Sequence, residues 1–183
     1  MELDLSELAE FLYNEYKVDV EESDEWQFTA WYAGDGQIYI NQKFQDASGL
    51  NLQRYLAHEI AHSAAESLYL PTWFDEGIAR YSERKFLGTD ATLYNRWFDG
   101  FEAWDPNNAT YANNIKGYDH AAYVVKTFIE TYGVEAFKAL LIELDGVIGY
   151  SDDTDAKNQK VLSAIRTVTG NSTLSLEDVT ILI

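Results

Sequence analysis

The feature that most constrains this chain is His58-Glu59-Ile60-Ala61-His62, inside the stretch Leu52 to Tyr81. Two histidines four positions apart, with a glutamate directly after the first, form the pattern H-E-x-x-H. On an α-helix, residues four apart lie on nearly the same face. Both imidazoles then reach one ion, and the glutamate projects at a neighbouring angle toward a water on that ion. Apolar residues at helical spacing (Leu52, Tyr55, Leu56, Ile60, Ala64) predict a helix from about Leu50 to Tyr69. A lone buried histidine is usually a satisfied core residue. Here two of only three histidines fall at ligand spacing around a glutamate. Zinc suits imidazole and carboxylate donors, and a catalytic zinc takes three protein ligands and keeps one position open. Two histidines are one ligand short. The candidate for the third lies downstream, in Trp73-Phe74-Asp75-Glu76-Gly77-Ile78-Ala79-Arg80-Tyr81.

Leu70-Pro71-Thr72 breaks the first helix, since proline favours an extended residue before it. The next helix is expected from Trp73 to about Phe86, with Thr72 and Asp75 in a capping-box-like spacing. Glu76 falls fourteen positions after His62, enough for a helix end, a tight link and a second helix crossing the first. Gly77, lacking a side chain, would let those two helices come close. An acid in a first turn also suits the helix dipole, which accounts for Asp75 equally well.

The H-E-x-x-H helix followed by W-x-x-E-G-x-A-x-Y resembles the gluzincin group of zinc metallopeptidases, within the peptidase MA-like superfamily. The likeness is tight in those two segments and loose over the rest of about Leu50 to Asp178. It implies a zincin-like fold, one Zn2+ per chain held by His58, His62 and Glu76, and Glu59 as general base. Some members carry an aspartate four residues after the ligand glutamate, behind a metal-binding histidine. Here that position is Arg80, so Asp75, Glu83 or a backbone carbonyl has to take over. The string Gly117-Tyr118-Asp119-His120-Ala121-Ala122, ending at Tyr132-Gly133, resembles the segment that follows the zinc helices. It implies Tyr118 as a hydrogen-bond donor to the oxyanion, with His120 as the rival donor. Two positions apart on a helix, these two face different ways. A tyrosine that simply packs on the core is the plain alternative.

Elsewhere a helix is expected over Leu5 to Lys17, and strands over Val18 to Gln42. Trp26, Phe28, Ala30 and Tyr32 alternate with period two, Gly34-Asp35-Gly36 marks a turn, and Gln37 to Asn41 returns. An edge strand above the zinc would bind an extended peptide through main-chain hydrogen bonds, as the resemblance implies. Further helices are expected over 91–101, 118–132, 134–144 and 155–169, with a loop over 110–114. The apolar tail from Leu174 is expected to dock on the body. The expected fold class is α+β: mostly helical and zincin-like, with a small N-terminal β-sheet packed on the H-E-x-x-H helix. One domain, 1–183, is expected, with the N-terminal helix and sheet over about 1–46 and the helical part with the zinc site over about 47–183.

Charge narrows the partners. Thirty-one acids against thirteen bases give a net charge of −18. That argues against nucleic acid, which needs Lys and Arg facing phosphates, and against adhesion to anionic membranes. No apolar run approaches the ~18 residues of a membrane span. With no cysteine there are neither disulfides nor thiolate ligands. The start, Met1-Glu2-Leu3-Asp4-Leu5, lacks the basic-then-apolar order of a signal peptide. The expected compartment stays open between cytoplasmic and, after trimming, extracytoplasmic, and the oligomeric state stays open too. The expected activity is zinc-dependent hydrolysis of a peptide or protein substrate. Without a Gly-x-Met-Glu-Asn string, an endopeptidase is favoured over an aminopeptidase. The rival class is a non-catalytic peptide-binding domain on a zincin scaffold, and the intact Glu59 counts against it.

Overall fold

The computed structural model describes residues 19–23, 30–32, 37–41 and 49–181. The helix expected over Leu5 to Lys17 and the turn at Gly34-Asp35-Gly36 lie outside the described residues. Those described are mostly helical, with a small sheet at the N-terminal side. Strands β1 (Asp19–Ser23), β2 (Ala30–Tyr32) and β3 (Gln37–Asn41) form a three-stranded sheet in the order β1-β3-β2. β1 runs parallel to β3, and β2 pairs antiparallel with β3 so that Tyr32 faces Ile38. β2 therefore stands at an edge of the described sheet. It is also the strand that lies most closely against the first helix, α1 (Gly49–Ala65).

Beyond α1 the chain makes one 3-10 turn, Glu66–Leu68, and is then reversed by Tyr69 in the left-handed region (φ 48°). Pro71, extended, leads into α2 (Thr72–Phe86). The next helix, α3 (Tyr111–Tyr132), packs along α2 more extensively than any other pair of elements. Then follow α4 (Val134–Leu144), α5 (Thr154–Thr169) and the short α6 (Leu176–Ile181). Asp153 caps α5 by accepting from the Ala156 amide at 2.8 Å, which meets one of the unpaired donors of a first turn. The core gathers where α2 and α3 meet α4 and α5: Trp73, Phe74, Val125, Leu140, Leu144 and Ile165 are all buried. Trp73 is buried with its indole N–H on Asn158 Oδ1 at 2.8 Å, so its polar edge is not left unpaired. The apolar tail docks as expected, with Leu174 and Val179 in the core.

Three expectations give way. The capping box at Thr72 does not form: no side chain caps α2, and the Asp75 carboxylate turns to His62 instead. The helix expected over 91–101 is absent; the chain runs irregularly between 3-10 turns at Asp90–Thr92 and Phe101–Ala103. Its amide donors are taken by side chains, Arg96 N–H by His120 Nδ1 and Trp97 N–H by Asn95 Oδ1, in place of carbonyls one turn back. The loop expected over 110–114 is the beginning of α3. Thr110 caps that helix, accepting from Asn113 N–H, and its polar first turns face solvent, which hid the helical period. Among the described residues no helix is long and apolar enough to cross a membrane.

Candidate metal centre

Local helix geometry sets the first two donors. His58 and His62 stand one turn apart on α1, with their Nε2 atoms 3.2 Å from each other. Glu76, in the second turn of α2, brings Oε2 to 3.3 Å from His58 Nε2 and 3.4 Å from His62 Nε2. These three atoms form a nearly equilateral triangle. Donors bound to one zinc at ~2.0–2.1 Å and tetrahedral angles stand about 3.3–3.4 Å apart. Glu76 Oε2 is also buried with no hydrogen-bond partner, an orphaned acceptor that a cation would satisfy. His58, His62 and Glu76 could thus hold a metal ion, and their spacing and donor types are compatible with zinc.

The far side of each ring meets a carboxylate. His62 Nδ1 donates to Asp75 Oδ2 at 2.9 Å. His58 Nδ1 faces Glu83 Oε2 at 3.5 Å, longer than a well-formed hydrogen bond. Such partners fix the tautomer that leaves Nε2 free for a metal. Of the candidate carboxylates, Asp75 thus serves His62, while Glu83 faces His58 without closing a hydrogen bond.

The field at the triangle favours positive charge. Burial pushes the Glu76 carboxyl up, but His58 and His62 outweigh it and hold its pKa down to about 2. Burial works against a charged His62 ring, yet Asp75 and Glu76 lift it to about 11. His58 is likewise opposed by burial and raised on balance by Glu76 and Glu83. Glu59, 8% exposed, is raised by burial against the pull of the two histidines. Its Oε2 accepts the Tyr32 backbone N–H from β2 at 2.9 Å, which ties the sheet edge to the helix. The Tyr32 hydroxyl donates to Glu66 Oε2 at 2.6 Å, a second tie.

Tyr118 and His120 part company as their spacing on α3 requires. The Tyr118 ring centre lies 6.3 Å from that of His58, and its other flank meets Trp104 edge-on at 5.0 Å. Burial, with the nearby charges of Glu76 and Glu59, raises the phenol. His120 is fully buried and turned away: Nε2 donates to Thr180 O at 2.6 Å, and Nδ1 accepts from Arg96 N–H at 3.1 Å. Gly77 also differs from expectation. The element that uses its missing side chain is α3, where an added Cβ would stand 2.7 Å from Ala121 O.

Sequence reasoning missed Trp104 as the support of Tyr118. Gly117 was the available signal, because a Cβ there would overlap the Trp104 ring at 2.3 Å. It also missed how Arg80 is used, forking onto both Glu83 oxygens at 2.7 and 2.8 Å.

No family model matches this chain, and no solved structure matches it. A stretch of 72 residues, 39% of the chain, is 28% identical to valine–tRNA ligase of Agrobacterium fabrum. It spans 7% of that protein's length, so the alignment shows neither a family nor an activity for this chain.

Proposed function

We propose that this chain is a gluzincin-type zinc metallopeptidase with a zincin-like fold, holding one Zn2+ and cleaving within a peptide or protein substrate. The observation that carries the reading is the triangle of His58 Nε2, His62 Nε2 and Glu76 Oε2, with Glu59 buried beside it. A zinc ion held by His58, His62 and Glu76 would supply Lewis acidity to polarise a scissile carbonyl and acidify a water. Glu59 takes the proton of the attacking water and returns it to the leaving nitrogen. Its raised pKa suits a group that has both to accept and to give back a proton. Tyr118, kept protonated by burial, is a neutral donor for the negative charge that develops on the carbonyl oxygen. An extended substrate laid beside β2, the described sheet edge next to α1, has to share that edge with Glu59, which already accepts the Tyr32 N–H.

The test is metal analysis of the purified chain beside digestion of a fluorogenic peptide library, with and without chelator. One zinc per chain, with cleavage lost on chelation and restored by zinc, is expected. A chain that retains no zinc would sink the reading. Zinc retained with no sequence cleaved would replace it with a peptide-binding domain.

A further inference from the structure

Four guanidinium groups, from Arg54, Arg80, Arg84 and Arg96, converge on two carboxylates, Glu83 and Asp119. This is the opposite of what a chain of net charge −18 presents elsewhere. The arrangement has a direction. Glu83 is 2% exposed and is gripped from both sides, by Arg80 Nη1 on both oxygens and by Arg54 Nε at 3.2 Å. It also faces the ring of His58, whose Nδ1 is buried with no hydrogen-bond partner. A histidine that binds a metal through Nε2 carries its proton on Nδ1 and needs an acceptor for it. Among the described residues Glu83 Oε2, at 3.5 Å, is the carboxylate that faces that proton. Arg80 also reaches across with Nη2 to Asp119 Oδ1 at 3.3 Å, and Asp119 is the neighbour of Tyr118 on α3. Arg96 Nε holds the other Asp119 oxygen at 3.3 Å.

We propose that Glu83, clamped by Arg80 and Arg54, is a positioning residue that orients His58 for metal binding, and that Arg80 joins it through Asp119 to the helix bearing Tyr118. The inference rests on the zinc reading above and adds a role for residues that touch neither metal nor substrate. Stability alone does not call for such a lattice. Replacing a buried ion pair by apolar side chains of similar volume is often neutral or stabilising, whereas removing one partner is costly. This separates positioning from mere structure.

The experiment measures zinc affinity of the full chain by competition with a chromophoric chelator, and the unfolding midpoint of the metal-free protein. The variants are Glu83→Gln and the double variant Arg80→Met/Glu83→Met. The double variant leaves the partly exposed Arg54 to water; it is expected to stay folded while binding zinc about 10–100-fold more weakly. Glu83→Gln, which keeps an acceptor but loses the charge, is expected to fall between the two. Wild-type affinity in a folded double variant would overturn the proposal. Should that variant not fold, unchanged zinc affinity in Glu83→Gln overturns it instead. In both cases the wild type still binds zinc, and the peptidase reading stands. If the wild type itself binds none, reading and inference fall together.

Discussion

On the side of α2 that faces α1, Asp75, Glu76 and Glu83 set three carboxylates beside His58 and His62. On the side that faces the core, Trp73 and Phe74 pack with Phe101 and Phe137, and Gly77 lets the Ala121 backbone approach. One helix thus carries two kinds of order. The apolar side is stabilised by area removed from water, roughly 1.5–3 kcal/mol for each large side chain fully buried. On the polar side, desolvation opposes every charge, and geometry is gained in return. Damage to the first should therefore unfold the protein. Swapping a site group of the second for a neutral isostere should strike the chemistry first, whereas deleting one partner of a buried pair there also costs stability.

The largest effect expected is on the polar side. Glu59→Gln should lower peptide hydrolysis by about 10²–10⁴-fold. Its zinc content should stay at the wild-type level and its urea midpoint no lower. Steady-state kinetics beside metal analysis checks this, and full activity in that variant would erase the contrast. Next comes the apolar side. Trp73→Ala should cost about 3–5 kcal/mol in denaturant unfolding. It also leaves Asn158 Oδ1 without the indole donor. The fraction that remains folded should bind zinc as tightly as the wild type. Gly77→Ala should cost less, about 1–3 kcal/mol, because α2 and α3 must separate to admit a methyl. Both unfolding free energies come from the same urea titration.

The smallest effect concerns His120, which belongs to the core rather than the site. Burial lowers its pKa from 6.5, against the pull of Thr180 O, and both ring nitrogens are already engaged with the ring neutral. Below pH 6.5 the unfolded chain takes up a proton that the folded ring refuses. Stability from this group is therefore complete above that pH and declines as pH falls, by at most about 1.4 kcal/mol per pH unit. The decline ends once the folded pKa is passed. Subtracting the pH–stability curve of His120→Gln from that of the wild type isolates it. A flat difference would place His120 outside the core logic.

What the sequence made legible follows the range of the forces involved. The candidate ligands His58, His62 and Glu76 lie within 58–76, where an i, i+4 spacing and a proline-marked link say nearly everything about geometry. The helices at 134–144 and 154–169 were equally plain, because each buries one apolar stripe. The path from Gly88 to Thr110 was not. Its aromatic residues Phe101 and Trp104 are buried from an irregular backbone, held by side-chain acceptors that no periodicity announces. The Arg80–Glu83–His58 contacts were hidden for a different reason. Arg80 and Glu83 stand i,i+3 on α2, but His58 is on α1 and Asp119 on α3, so these longer-range partners depend on how whole helices cross.

The nearness of the three donors along the chain has a consequence for biogenesis. A centre assembled from 58–76 needs only α1, the Tyr69 reversal and the first turns of α2. Closing so short a segment costs less entropy than joining strands distant in sequence. On the zinc reading proposed above, metal capture need not wait for the carboxy-terminal helices to be synthesised. On that reading the same nearness limits a metal as a staple: a denatured chain keeps the histidine pair close, and any residual grip there would reduce the stabilisation that an ion gives the native form.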